Sequence, residues 1–354
     1  MKVAHMADLH ARGKDLISFT GQLNEALRRA EEHNCEAVVV AGDVLDRPNL
    51  ADRSESAGAI AEVLLNAFAG YPGRVILLVG NHDKAGPGRK DGLHIFGGHG
   101  NITVVREPSR IMLGDTSYYC VPWSWDRETT VRQTILSAIV AFPVTKTNVL
   151  VAHVSVSGAF AGKNYNYVGT GGWCIGVEEL RSLDFDRFVL GDFHKRQDLT
   201  EGRGGYVGAL RQMNFGEADN PAGFEVYDTE TGEVEWVEIE CAPKYRTITF
   251  REPVDSFPAP SPNEKLRILC DGWAPLDHAI ISAEALGVRV DWIVEGTERQ
   301  VRAAEEDIPQ DITTTPAKAL DLWAEHQSPV VDGKALTRLQ ARLESILAGE
   351  EAGA

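Results

Sequence analysis

The chain has 354 residues, of which 43% are hydrophobic and 25% charged, and its net charge is −17 at pH 7. This length favours two domains, and the composition is that of a globular protein. The negative charge argues against a large basic surface for nucleic acid, but leaves room for a local contact or a basic partner subunit. Unpaired cysteine spacing, a strand pattern at the N-terminus and the lack of long apolar runs predict a reduced, cytoplasmic protein.

Strand and helix patterns alternate along the first part of the chain. Apolar, β-branched runs predict strands at 2–7, 37–41 and 74–79, and apolar residues at helical spacing predict helices near 19–33 and 57–68. This β-α-β-α-β order is typical of an α/β fold whose largely parallel sheet has right-handed crossovers.

A new series of strand and helix patterns begins around Pro243, after a run of antiparallel strand patterns. A smaller α+β domain is predicted over 242–308, within the usual size range for a domain. Two helices are predicted in the remaining segment, 309–354, where apolar residues recur at helical spacing. The predicted organisation is therefore a main domain over 1–241, a small second domain and a C-terminal helical segment.

Short clusters of metal-binding side chains follow the predicted strands of the main domain. They are Asp8-x-His10, Gly42-Asp43, Gly80-Asn81-His82-Asp83, His153 and Gly191-Asp192-x-His194. Ligands at the carboxyl ends of successive strands point into one crevice, where open α/β sheets bind their ligands. Oxygen and imidazole donors suit two hard or borderline divalent ions, and not a structural zinc with its thiolates.

The clusters predict chemistry on a phosphate ester. Asp8 and His10 alternate along a strand end and can face the same side, while Asp43 is the natural bridge between two ions. Two ions so held can activate a water and clamp the attacking and leaving oxygens. His82 can donate a proton to the leaving group, with Asp83 available to orient it. Taken singly, each cluster could be a turn or a core histidine, but the whole series favours a metal site.

This series resembles the calcineurin-like metallophosphoesterase superfamily. More narrowly, residues 1–228 resemble the SbcD-type nuclease subunits of SbcC–SbcD (Mre–Rad type) DNA-repair complexes, phage versions included. The narrower resemblance rests on four stretches: 41–48, 153–158, 185–197 and 208–217. It implies a four-layer α/β/β/α sandwich followed by a capping, DNA-binding domain and a C-terminal segment that binds the ATPase.

The resemblance also implies a ligand set and a catalytic histidine, His82. The first metal would be held by Asp8, His10, Asp43 and His194, and the second by Asp43, Asn81 and His153. The family's last motif is Gly-His-x-His, whereas this chain has Asp192 in place of the first histidine. Asp192 is thus predicted to complete the second metal's ligands. Its added negative charge should hold the cations more tightly but lower their Lewis acidity.

These observations predict a metal-dependent DNA exonuclease and endonuclease that works with an SbcC-like ATPase in double-strand break processing, recombination or replication. Mn²⁺ is the expected metal, with Mg²⁺ as the alternative, and the family suggests a homodimer through the nuclease domain. The alternatives are a phosphoesterase for small or protein substrates and a catalytically weakened scaffold that regulates the ATPase.

Contacts with DNA and with the ATPase are predicted at two places. The candidate DNA contacts could equally be solvated surface charges; they are Arg47, Lys195, Arg196 and Arg211. The candidate ATPase contacts form an apolar face that could instead cover the chain's own core; they are Trp323, Leu336, Leu339, Leu343 and Ile346.

Overall fold

The structure, a computed structural model, describes residues 1–48, 55–84, 90–124, 130–141, 145–160, 167, 173–273 and 275–293. The chain divides into two compact units, Met1–Arg246 with Pro260–Lys265, and Thr247–Ala259 with Leu266–Ala354. Among the described helices, none has the length and apolarity needed to cross a membrane. The predicted C-terminal helices lie outside the described residues, as do all the candidate ATPase contacts: Trp323, Leu336, Leu339, Leu343 and Ile346.

Strands and helices follow one another along the described residues of both units. In chain order, the strands are β1 (Lys2–Met6), β2 (Cys35–Val40), β3 (Arg74–Leu78), β4 (Ile102–Val105), β5 (Ser109–Leu113), β6 (Thr116–Val121), β7 (Thr147–His153), β8 (Ser155–Ser157), β9 (Cys174–Gly176), β10 (Arg187–Gly191), β11 (Gln197–Asp198), β12 (Gly204–Tyr206), β13 (Gly223–Asp228), β14 (Val234–Glu238), β15 (Lys244–Phe250), β16 (Glu264–Asp271) and β17 (Arg289–Ile293). The helices are α1 (Leu16–Glu32), α2 (Glu55–Gly70), α3 (Val131–Ala141), α4 (Val177–Arg181) and α5 (Asp277–Ala285).

Two six-stranded sheets form the described body of the first unit. The first has the order β14-β13-β1-β2-β3-β4 and the second the order β11-β12-β10-β7-β6-β5. In the first sheet, β1 to β4 are parallel as far as one edge, and β13 and β14 pair antiparallel at the other. In the second sheet, the parallel strands β12, β10, β7 and β6 lie between β11 and β5, which pair antiparallel at the two edges. The predicted parallel order of β1, β2 and β3 is confirmed, but it belongs to the first of two sheets.

Side chains that alternate along the strands place each sheet between two apolar layers. Val38 and Val40 of β2 face helices α1 and α2, whereas Val39 faces the second sheet. Along β7, Leu150 faces the layer that contains α3 and α4, and Val151 faces the first sheet. The layers are therefore helix, sheet, sheet and helix, and the predicted four-layer α/β/β/α sandwich is confirmed.

The described part of the second unit is a small sheet with a helix. Its strand order is β15-β16-β17, with β16 and β17 parallel. Alternate residues of β16, including Leu266 and Ile268, are buried together with Ala283 of α5 and Val288. This unit has its own small apolar core.

Candidate metal centre

Donor side chains from both sheets meet at the carboxyl ends of the central parallel strands. Residues after β1, β2 and β3 come from the first sheet, and residues at the ends of β7 and β10 come from the second. Three overlapping groups have all their ligand atoms within 4.8 Å of one another: Asp8 with His10 and His194, Asp8 with Asp43 and His153, and His10 with Asp43 and His82. The structure thus brings residues 184 positions apart in sequence, such as His10 and His194, into contact.

Asp43 lies between two sets of donors. Its Oδ2 is 3.7 Å from His10 Nε2, and its Oδ1 is 3.5 Å from His153 Nε2. On the first side, His10 Nε2 is 3.0 Å from His194 Nε2. On the second side, His153 Nε2 is 2.7 Å from Asn81 Oδ1. One carboxylate therefore faces both sets with separate oxygens, which is the geometry that a bridging ligand requires.

Asp192 belongs to the second side of the cluster. Its Oδ1 lies 3.9 Å from His153 Nε2, while its Oδ2 accepts a hydrogen bond of 2.6 Å from Ser155 Oγ. Its backbone N–H donates to Asp8 Oδ1 at 3.1 Å. The side chain is thus held with one oxygen toward the donors, at the place where the resemblance expects an imidazole.

The backbone turns sharply where these side chains leave the strands. The φ angles of Asp8, His10 and Asp43 are 51°, 47° and 53°, and that of Asp192 is 113°. L-residues adopt this region rarely, at a cost of order 1–3 kcal/mol for each residue. These turns direct the donor side chains toward the cluster, because the backbone bends there instead of continuing along the strand.

Acceptors outside the cluster orient its imidazoles. His153 Nδ1 is 2.8 Å from the Ala41 carbonyl oxygen, and His194 Nδ1 is 3.0 Å from Glu217 Oε1. Each contact fixes the hydrogen on Nδ1 and turns Nε2 toward the other donors, as is usual for metal-binding histidines. Glu217 and Ser155 were given no role from sequence, although both lie in stretches that carry the family resemblance.

The electrostatics of the cluster fit divalent cations. Burial raises the pKa of Asp8 to about 6. Burial would also raise the pKa of Asp43, but the neighbouring histidines, His153 first, outweigh it and hold that pKa at about 2. Burial would lower the pKa of His153, but Asp43 and the other carboxylates raise it to about 10. A protonated His153 therefore balances part of the negative charge of the buried carboxylates, and bound divalent ions would supply that positive charge instead.

His82 lies exposed beside the cluster, and its ring is oriented by a backbone group. Its ring centroid is 4.8 Å from that of His10, and its Nδ1 is 2.8 Å from the Asp46 carbonyl oxygen. The prediction that Asp83 orients this ring is wrong. Asp83 is fully buried, and its carboxylate accepts hydrogen bonds from the backbone N–H groups of Gly80 and Leu45, each at 2.9 Å. Asp83 therefore holds the loops that carry the donors together, and burial raises its pKa to about 7.

The candidate DNA contacts differ in their accessibility. Arg211 is buried, donates to the His10 carbonyl oxygen at 2.7 Å and pairs with Asp15 at 3.0 Å. Its predicted DNA contact is therefore corrected to a structural role. Arg196 is exposed, but its guanidinium pairs with Glu225 at 2.9 Å. Arg47 is exposed and Lys195 is half-buried, and their DNA contacts remain predictions.

The chain belongs to the calcineurin-like phosphoesterase family, whose sequence profile matches residues 1–196. It is thus assigned to a family of metal-dependent phosphoester hydrolases, which typically use a dinuclear centre, and the cluster supplies candidate ligands. Among solved structures, TT1561 of Thermus thermophilus is 12% identical with a TM-score of 0.40, covering 68% of this chain and 99% of that chain. Pseudomonas putida nuclease MPE is 22% identical with a TM-score of 0.23, covering 43% and 60%. The search of curated proteins found no match.

Proposed function

We propose that this chain is a nuclease that hydrolyses DNA phosphodiesters, both from ends and internally. The observation that carries the proposal is the position of Asp43 between two donor sets, with the exposed His82 beside them. This arrangement suits a phosphodiester that lies across two cations, and the SbcD-type resemblance of residues 1–228 supports DNA as the substrate.

Two divalent ions fit the donors, with Mn²⁺ as the first choice and Mg²⁺ as the alternative. The set for the first ion is Asp8, His10, Asp43 and His194, and the set for the second is Asp43, Asn81, His153 and Asp192. When bound, such ions supply an activated water and a clamp on the attacking and leaving oxygens. The chain's own part is to fix the donors through Ala41, Ser155 and Glu217.

His82 is the proton donor in this proposal. A backbone carbonyl can only accept, so the contact with the Asp46 oxygen places a hydrogen on His82 Nδ1. The other ring nitrogen, Nε2, is then the one that gains a proton and delivers it to the leaving oxygen. The ring does not need a carboxylate partner, because the carbonyl already sets its orientation.

An SbcC-like ATPase is the proposed partner. With a net charge of −17, the chain has little long-range attraction for DNA, and phosphate contacts dominate the affinity of DNA-binding proteins. A partner that supplies basic surface would compensate for this charge. Arg47 and Lys195 are the local contacts that we propose within the chain.

Cleavage assays with two variants test the proposal. The purified chain with Mn²⁺ should cleave labelled single- and double-stranded DNA faster than a generic phosphodiester. Asp43→Ala should lose metal binding by calorimetry, because it removes the shared ligand. His82→Ala should keep metal and DNA binding but lose about 10²–10⁴-fold in cleavage rate. His94→Ala, which changes another exposed histidine, is the matched control and should cleave normally.

Each of the alternative functions predicts a different result in these assays. Preference for a small or protein phosphoester over DNA would show a phosphoesterase of another class. A chain that binds metal and the ATPase without cleaving any phosphodiester would be a regulatory scaffold, the alternative favoured by the carboxylate at Asp192. His82→Ala cleaving DNA at the parent rate would contradict the assigned proton donor.

A further inference from the structure

Tyr206 is a buried tyrosine whose hydroxyl joins two backbone groups beside the metal cluster. It is the last residue of β12 and is 1% exposed. The hydroxyl donates to the Val154 carbonyl oxygen at 2.8 Å and accepts a hydrogen bond from the Val156 backbone N–H, also at 2.8 Å. Since β10 lies between β12 and β7 in the second sheet, the side chain extends past β10 to the segment that follows β7.

The segment that this hydroxyl fixes carries two groups of the second metal site. His153 comes directly before the two bonded residues, and Ser155, which holds Asp192 at 2.6 Å, lies between them. A buried backbone carbonyl or N–H without a partner costs stability, so the two hydrogen bonds favour a single position of this segment. The directions of His153 and Ser155 therefore depend on a hydroxyl group that comes from a different strand.

Trp173 supports the same segment from another part of the chain. Its indole Nε1 donates to the His153 carbonyl oxygen at 3.1 Å, and its side chain is buried. The Val154 backbone N–H donates in turn to the Gly191 carbonyl oxygen at 3.2 Å, at the end of β10. Successive backbone groups after β7 are thus held by two aromatic side chains and by β10.

The ring of Tyr206 contacts the loop that carries the other donors of the second sheet. It stacks on the Phe193 ring, with the centroids 4.8 Å apart and an angle of 21° between the planes. Phe193 lies between Asp192 and His194 in the sequence, and these residues are candidate ligands of different ions. Stacked aromatic pairs stabilise a structure beyond the area that they bury. The stacked rings therefore hold this loop, and with it one candidate ligand for each ion.

We infer that Tyr206 is a positioning residue for the metal centre: its hydroxyl sets the second metal site, and its ring sets the loop that contributes to both sites. This inference rests on the proposed two-ion function and adds a residue that supports the same site. Because the hydroxyl and the ring act on different donors, substitutions can separate their contributions. Loss of the hydroxyl alone would free His153 and Ser155. Loss of the ring would also free Phe193 and the adjacent His194.

Titration calorimetry with Mn²⁺ on two variants tests the inference. Tyr206→Phe keeps the ring and should weaken one of the two ions about tenfold or more while the other stays within about threefold, because partners of metal ligands typically alter affinity by about 10–100-fold. Tyr206→Leu removes the ring as well and should weaken both ions. Electron paramagnetic resonance gives an independent readout. With two equivalents of Mn²⁺, the parent should give the signal of a spin-coupled pair and Tyr206→Phe mainly that of separate ions.

Tyr71→Phe is the matched control for a merely structural effect. Tyr71 is also buried, and its hydroxyl donates to the Cys35 carbonyl oxygen at 2.5 Å. Cys35 begins β2, whereas Asp43 follows the end of this strand, so the lost bond lies at the opposite end of the sheet from the donors. Tyr71→Phe should lower the midpoint of thermal unfolding by about 2–4 °C, as expected for one lost hydrogen bond, and bind both ions like the parent.

Two results would overturn the inference and leave the nuclease proposal intact. In the first, Tyr206→Phe binds both ions with the affinities of the parent. In the second, Tyr71→Phe loses as much metal affinity as Tyr206→Phe, which would reduce the effect to general destabilisation. A parent chain that binds two ions without cleaving DNA would instead overturn the proposed function, and the positioning role of Tyr206 would stand.

Discussion

At the scale of single residues, the candidate metal centre depends on partners that are not donors themselves. Ala41 and Glu217 each fix one imidazole, and Ser155 holds one oxygen of Asp192 at 2.6 Å. Such partners set the direction and basicity of metal ligands. Asp192 has a shorter side chain than the histidine it replaces, so its direction depends strongly on that single serine.

We therefore predict that Ser155→Ala selectively weakens the second metal site. The alanine removes the only side-chain hydrogen bond to Asp192 among the described residues, and affinity for one of two Mn²⁺ ions should fall about 10–100-fold. Titration calorimetry measures both affinities. Ser157→Ala on the same strand, β8, is the control, because the Ser157 side chain does not contact Asp192 through a hydrogen bond. Unchanged binding of both ions to Ser155→Ala would show that Asp192 needs no support.

At the scale of the elements, the strand ends approach one another too closely for side chains at certain glycines. A Cβ atom at Gly80 would lie 2.1 Å from Asp43 Oδ1 and 2.4 Å from the Asp43 backbone nitrogen. A Cβ atom at Gly191 would lie 2.1 Å from the Ala41 carbonyl oxygen. The loops after β2 and β3 and the end of β10 can therefore converge only where glycine is present.

Gly80→Ala should displace Asp43 and lower metal affinity by at least about tenfold. Calorimetry with Mn²⁺ measures the affinity, and thermal unfolding shows whether the fold is retained. The matched control is Gly21→Ala in α1, where a Cβ atom would meet no atom within 4 Å. Because glycine is a poor helix former, that control should stabilise the protein by roughly 0.5–1 kcal/mol. Normal metal binding by Gly80→Ala would mean that the loops can move apart without any loss of metal affinity.

The elements also show which parts of the fold were predictable from the sequence. Apolar β-branched runs predicted β1, β2 and β3, and the donors follow these strands because the signal for a strand and its end is local. Arg211 and Asp83 were assigned wrongly because their partners are distant: Arg211 contacts His10, 201 positions away, and Asp83 binds Leu45, 38 positions away. Periodicity carries no information about such contacts. For the same reason, the strand and helix patterns did not predict the division into two sheets, which followed only from the family resemblance.

At the scale of the whole molecule, a polar group lies between the two sheets. His5 of β1 is fully buried, its Nε2 is 3.2 Å from the Tyr118 hydroxyl, and its ring stacks on Tyr227 at 5.6 Å. Its Nδ1 has no hydrogen-bond partner among the described residues. Burial first, and then the nearby Arg187 charge, lower the pKa of His5 to about 3. The sandwich therefore requires this ring to be neutral.

This buried histidine predicts a loss of stability in mild acid. Its folded pKa lies below the ordinary value of 6.5, so the unfolded chain binds the proton more readily and stability falls as pH drops from 6.5 toward 3. Between pH 7 and pH 5 the contribution is about 2 kcal/mol. Urea unfolding of His5→Gln should show a smaller difference between these two pH values than the parent. The exposed-site control, His94→Gln, should behave like the parent, and an unchanged difference in His5→Gln would contradict the prediction.

The C-terminal segment, which lies outside the described residues, is predicted to dock on the ATPase. Deleting the chain from Asp311 onward should leave metal-dependent hydrolysis of a small phosphodiester intact and abolish assembly with an SbcC-like protein, as measured by size-exclusion chromatography. In the full-length chain, replacing both Leu339 and Leu343 by aspartate should also abolish assembly, which tests the apolar face without a deletion. Loss of folding in the main domain after the deletion would assign the apolar face to the chain's own interior.

At the metal donors, the left-handed backbone conformation costs stability, while the side chains that it positions serve catalysis. Stability and catalytic activity are therefore in conflict during evolution. At Asp8 and Asp43, with φ angles of 51° and 53°, glycine would relieve a steric cost that opposes the hydrogen bonds which the carboxylates accept from the Asp192 and His82 backbone N–H groups. Selection for hydrolysis favours their retention in addition. A descendant chain released from that selection could lose its donors and be relieved of the backbone strain at these positions. The sandwich fold can therefore persist after catalytic activity has been lost. Related chains that keep the fold without these aspartates are expected to be scaffolds.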